Sequence, residues 1–220
     1  MPLSRAAVYP YRRSGRVAAR AGVRHYRLAR YQDGTMKLIC KPFVFLRHGE
    51  TPLNRDRLIG GRTDVPLSED GEQQARSAAS ILARHRWSCI AVSSKLRARQ
   101  TASLALPGLP QLMVPDLRER DWGDLELRPY TEQTPYEQTP PGGEAWDDFC
   151  ARIIAALNQL LQQYDTPLVV AHSGVFRVLS LLSSGSPYGP RIGNAVPMWI
   201  VPADSPGGWT IMPLAQRDEG

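Results

Sequence analysis

The sequence predicts an α/β protein with three αβα layers, a mainly parallel central sheet covered by helices on both faces. Three observations lead there. From about residue 36 onward, short apolar runs alternate with amphipathic stretches of helical period, the pattern of strands joined by crossover helices. The strand candidates are apolar at every position rather than at every second one, as in a sheet buried on both faces. The 220 residues suffice for one good-sized core and are few for two domains.

The elements follow in order. Leu38 to Leu46 reads as a strand ending at Arg47-His48-Gly49. Ser68 is an N-cap for a helix over about Glu69 to His85, with Ala75, Ala78, Ala79 and Leu82 facing inward. Cys89 to Val92 is a short buried strand, and Leu96 to Leu106 a helix that Pro107 and Pro110 close. Leu112 to Val114 makes a further strand. Arg120 to Gly143, rich in Pro, Tyr, Thr, Gln and Glu, reads as a surface loop or flap. Trp146, Phe149, Cys150, Ile153, Ile154, Leu157, Leu160 and Leu161 recur at three and four, the apolar stripe of one helix. Pro167 to Ala171 is a strand leading into His172-Ser173-Gly174, and Val175 to Leu182 is the helix after it. Ala195 to Val201 and Trp209 to Met212 are closing strands; Trp199, Trp209 and Met212 are expected at a sheet edge or in a homodimer contact.

Charge divides the chain. Residues 1–35 hold eight arginines against Asp33 alone, a balance of +7. Taking these from 27 basic and 21 acidic residues leaves 19 and 20, a balance of −1, for the domain expected over residues 36–220. That near-neutral body argues against nucleic acid as a partner. The basic segment has three readings: a disordered tail or an upstream start, a targeting peptide, or a helix presenting Arg16, Arg20, Arg24, Arg27 and Arg30 to an anionic surface. No apolar run is long enough to cross a membrane, since His172 and Arg177 interrupt the best candidate. Cys40, Cys89 and Cys150, odd in number and inside apolar stretches, read as buried reduced thiols of a cytoplasmic protein.

The chemistry concentrates at strand ends, where open α/β sheets gather their ligands. Arg47-His48-Gly49 offers an imidazole, a guanidinium fork and a close-approaching backbone to one anion. Arg97 falls in the first turn of a helix, where anions are favoured. Leu117 to Asp124 sets Glu119 among other charges, and His172 repeats the strand-end histidine. His85, between Arg84 and Arg86, reads as a solvated helix end, and Arg99 as a solvated helix face. No GxxxxGK[ST] loop and no HExxH or CxxC spacing is present, so a P-loop or metal reading has no support.

The stretches FVFLRHGETPLN, GRTDVPLSEDGEQQA, SSKLRARQTA, LRERDWGDLE, PPGGEAWDDFCARI and VVAHSGVFRVL, in this order, resemble the histidine phosphatase superfamily, the phosphoglycerate-mutase-like group. The resemblance implies phosphomonoester hydrolysis through a covalent phosphohistidine on His48, with no metal or cofactor. Arg47, Arg97 and His172 are then catalytic residues around the phosphoryl oxygens, with Asn54 and Gly61 adding to substrate binding. Glu119 takes the role of general acid and base. His48 Nε2 is implied as nucleophile, with Nδ1–H held by a backbone carbonyl.

The resemblance leaves the reaction open between hydrolysis and cofactor-dependent mutase chemistry. The absence of the long basic insert of mutases after Gly123 favours a phosphatase acting on a small phosphorylated metabolite, in a pattern similar to α-ribazole phosphatases and broad-specificity phosphatases. Ser173 departs from the glycine common at that position. A non-catalytic phosphate-binding protein on the same fold is the remaining alternative.

Overall fold

The structure, a computed structural model, describes residues 37–204 and 208–217. The arginine-rich segment of residues 1–35, with the readings given to it above, lies outside the described residues. Six strands form one sheet: β1 (Phe43–Arg47), β2 (Ile90–Val92), β3 (Leu112–Met113), β4 (Leu168–Ala171), β5 (Pro197–Pro202) and β6 (Trp209–Pro213). Their spatial order is β3-β2-β4-β1-β5-β6. The first four run parallel to their neighbours, while β5 and β6 close the sheet antiparallel. Helices α1 (Pro52–Arg55), α2 (Glu69–Leu82), α3 (Leu96–Ala105), α4 (Trp146–Gln163) and α5 (Ser173–Ser184) complete the layers.

The uniform apolarity of β1 has a direct structural meaning. Phe43 and Phe45 join the core beneath α4 and α5, whereas Val44 and Leu46 join the second core beneath α2 and α3. Alternate side chains leave opposite faces of a strand, so a doubly covered strand must be apolar at every position. Ser68 caps α2, its hydroxyl accepting the Gly71 N–H at 3.1 Å.

Several expectations need correction. The first strand begins at Phe43, not Leu38, because Pro42 has no N–H and the Ile39 amide is spent on Asn158 Oδ1 at 2.8 Å. Cys40 is therefore exposed and Cys89 half-buried, and Cys150 alone of the three is buried. Trp209 and Met212 do stand on β6, the edge strand of the sheet, but Trp199 and Trp209 are only 8% exposed and pack into the two cores. His85 stacks near Trp87 and Trp199, at 5.5 and 6.4 Å between ring centroids, so it is half-covered rather than free in solvent. Arg120 to Gly143 is the surface loop expected, with only two single-turn 3-10 helices, and its start is anchored. The Arg120 side chain is fully buried, with its guanidinium 4.8 Å from the Trp122 ring and 5.7 Å from that of Trp146. It donates to the carbonyls of Glu144 and Gln138.

Candidate active site

Strand register brings the two histidines together. Arg47 pairs with Ala171 across the β1–β4 ladder, so the next residue on each strand, His48 and His172, sits beside the other. The His48 N–H donates to Ala171 O at 2.9 Å, and the two ring centroids lie 5.2 Å apart. Residues 124 apart in the chain thus share one crevice past the carboxyl ends of parallel strands.

Hydrogen bonds fix the state of the His48 ring. Its Nδ1 lies 2.7 Å from Gly49 O; a carbonyl only accepts, so Nδ1 carries the proton and Nε2 keeps its lone pair. Asn194 donates to His48 O at 2.9 Å and holds the same turn from the far side. Gly49 is required by contact: a Cβ there would sit 2.3 Å from Gly71 O. The Gly49 N–H donates to Thr101 Oγ1, whose hydroxyl donates to Arg97 O, tying the histidine turn to α3.

His172 is held differently. Its Nε2 is 2.7 Å from Ser93 Oγ, and its buried Nδ1 has no hydrogen-bond partner among the described residues. Ser93 Oγ also accepts from the Lys95 N–H at 3.4 Å, and its hydroxyl proton can point to His172 Nε2. In that tautomer Nδ1–H is a donor without a protein partner among the described residues.

Both guanidiniums are anchored by backbone carbonyls rather than neutralised by close carboxylates. Arg47 Nη1 donates to Ile192 O at 3.0 Å while its buried Nε has no partner among the described residues. Arg97 donates to Thr63 O and Gly61 O at 2.9 and 3.0 Å, with Asp64 at 3.9 Å. Burial lowers the pKa of both from the usual guanidinium value. The turn that holds Arg97 is itself held by Glu126, which accepts from the amides of Gly61, Arg62 and Thr63. Gly61 thus stands behind Arg97, whereas Gly60 faces the cavity. Asn54 reaches the cavity from α1, with its amide donating to the Tyr130 hydroxyl at 3.3 Å.

Glu119 lies across the cavity, 7% exposed. Its Oε2 accepts the Gly174 N–H at 2.9 Å, at the N-terminus of α5, and the Ser173 hydroxyl at 3.3 Å. Its Oε1 accepts the Arg120 N–H at 2.9 Å. The hydroxyl that departs from the common glycine is therefore a ligand of the acid. Ser93, Thr101 and Asn194 were not legible as site residues, because their roles depend on partners up to 146 positions away.

Burial first, and then the charges of Arg97 and Arg47, hold the pKa of His48 well below the usual 6.5; burial and Arg97 do the same for His172. The unfolded chain therefore takes up two protons near pH 6.5 that the folded chain refuses. Stability from this source is complete above that pH and is lost as pH falls toward the folded-state values. The loss is at most about 2.7 kcal/mol per pH unit for two groups. Urea midpoints measured between pH 7.5 and 5.5 are expected to fall, with a smaller slope in His48→Ala.

One neutral buried imidazole and two anchored guanidiniums line a cavity of about 690 Å³, with the second imidazole packed behind His48 and a carboxylate opposite, an arrangement suited to phosphoryl transfer. A profile of the histidine phosphatase superfamily (branch 1) matches residues 43–191, and the chain belongs to that superfamily. It is 30% identical over 190 residues to the adenosylcobalamin/α-ribazole phosphatase of Escherichia coli (strain K12), covering 78% of this chain and 89% of that one. It is 33% identical over 149 residues to the uncharacterized phosphatase PhoE of Bacillus subtilis (strain 168), covering 64% and 77%. The crystal structure of the α-ribazole phosphatase from Shigella flexneri superposes with a TM-score of 0.67 at 27% identity, over 78% of this chain and 95% of that one. The chain is a phosphatase. Among the described residues, no helix is long and apolar enough to cross a membrane.

Proposed function

We propose that the chain hydrolyses a small phosphomonoester in two steps through a phosphohistidine on His48. The observation that carries this reading is the His48 tautomer: Nδ1–H is committed to Gly49 O, which leaves the Nε2 lone pair as nucleophile at neutral pH.

In the first step Nε2 attacks phosphorus and the P–O bond to the leaving group breaks. Arg47 and Arg97 balance the charge on the equatorial oxygens, and His172 Nδ1–H and Asn54 add donors. Glu119 enters protonated and delivers its proton to the departing alkoxide, so a neutral alcohol leaves. In the second step the Glu119 carboxylate takes a proton from water, the water oxygen attacks phosphorus, and the N–P bond breaks. Phosphate leaves and His48 regains its lone pair. The short connection between Gly123 and Pro140, with no long insert over the cavity, lets water reach the intermediate and supports hydrolysis over mutase transfer.

The test is turnover of p-nitrophenyl phosphate by the full chain with a metal chelator present, with acid and alkaline quenches compared in a single turnover. Expected are phosphate release that resists the chelator and a transient phosphoenzyme stable to alkali and labile to acid. Isomerisation of 3-phosphoglycerate without net phosphate release would move the reading to a mutase, and an acid-stable phosphoenzyme would sink the histidine route.

A further inference from the structure

Cations outnumber acids in the cavity beyond what a phosphate group requires. Its wall carries Arg47, Arg97, Arg177 and Arg191 against the single carboxylate of Glu119, which the proposed route uses in its protonated form. Arg47 and Arg97 match the two negative charges of a phosphate monoester. Arg177 and Arg191 are left over.

These two are not equivalent. Arg177 Nη1 is occupied, donating to the carbonyls of Pro187, Gly189 and Pro190 at 3.2, 2.7 and 3.3 Å. On the other side of the same loop, Arg47 Nη1 holds Ile192 O. The residue between these anchor points is Arg191. Its backbone is pinned at the position before and the position after it, yet its side chain has no hydrogen-bond or ion-pair partner among the described residues. The positive charges of Arg191 and Arg177 both act on Arg47, against larger favourable effects of Tyr130 and Glu119, so like charges lie close enough around the cavity to repel one another. An anion placed among them relieves that repulsion.

We propose that Arg191 forms a second anion subsite, so that the preferred substrate is a phosphomonoester whose organic part carries another acidic group, a carboxylate or a second phosphate. The proposal rests on the phosphatase reading for which group is cleaved. The first phosphate lies on His48, Arg47 and Arg97, and the second acid reaches the mouth of the cavity, where Arg191 is exposed and available for a charge-assisted contact. A neutral organic part leaves that guanidinium unmatched.

The experiment uses two competitive inhibitors of p-nitrophenyl phosphate hydrolysis that differ only in a terminal carboxylate, butyl phosphate and 4-phosphonooxybutanoate. On the wild-type chain the carboxylate should tighten inhibition about tenfold or more, the size of one charge-assisted contact. In Arg191→Gln the two inhibition constants should converge, and Arg191→Lys should keep part of the difference. Equal inhibition of the wild type, or a preference that survives Arg191→Gln, overturns the subsite. Absence of p-nitrophenol release from the wild type would instead overturn the phosphatase reading. Calorimetric titration of the same two ligands into wild type and Arg191→Gln would still decide the subsite in that case.

Discussion

Replacing His48 by alanine is expected to abolish phosphate release, by at least about four orders of magnitude in kcat. The size follows from what the residue supplies. Among the described residues of the cavity, this imidazole alone has its lone pair set free by a fixed hydrogen bond on its other nitrogen, and without it the proposed covalent route is lost. Arg47, Arg97 and His172 remain in His48→Ala and can still bind a phosphate ester, so KM or an inhibition constant for phosphate should change far less than kcat. That split separates loss of a nucleophile from loss of a site. It also separates an enzyme from a phosphate-binding protein, which would keep its ligand and show no turnover in either form. His48 is buried beside Ala171 and Gly49, so circular dichroism must show that the variant folds. A His48→Ala chain that folds and retains more than about one hundredth of wild-type kcat would remove His48 from the nucleophile's role.

The sequence and the structure agree most closely where one physical rule acts alone. The strand cores between Phe43 and Leu46 and between Leu168 and Ala171 were legible because burial on both faces leaves no polar position. The stripe from Trp146 to Leu161 was legible because one helix face meets one core. Long-range partners were not. Nothing local to Ser93 indicates that its hydroxyl meets a ring 79 residues on, and nothing near Gly61 says that its carbonyl holds Arg97 rather than a substrate. Local composition gave Arg120 to Gly143 as a surface loop, which it is, but not the anchoring of its first residue. The two tryptophans that bury Arg120 come from either end of that stretch, so the packing that anchors it is invisible to any short window. The antiparallel direction of β5 and β6 was equally hidden, since an apolar run carries no sign of its direction in a sheet.

Gly174→Ala is expected to lower kcat by about two to three orders of magnitude while leaving the fold intact. The argument is steric and starts from Glu119. A Cβ at position 174 would lie 1.9 Å from Glu119 Oε1 and 3.2 Å from Phe149. No side-chain rotation at residue 174 relieves that contact, because a Cβ has fixed geometry, so the carboxyl group must move. In moving it loses the Gly174 N–H at 2.9 Å that now orients it, and an acid displaced by an ångström no longer meets the leaving oxygen. Glu119→Gln removes the proton itself and provides the comparison. Both variants should fail differently according to leaving group. An alkyl phosphate needs the acid in the first step, so turnover falls with no intermediate formed. p-Nitrophenolate leaves unaided, so the first step survives and the water-activating step fails, giving a burst of p-nitrophenol equal to the enzyme present and then a slow phase as phosphohistidine accumulates. Wild-type kcat on both substrates in Glu119→Gln would place the general acid elsewhere. A burst in Glu119→Gln without one in Gly174→Ala would keep Glu119 as the acid and remove Gly174 as what positions it.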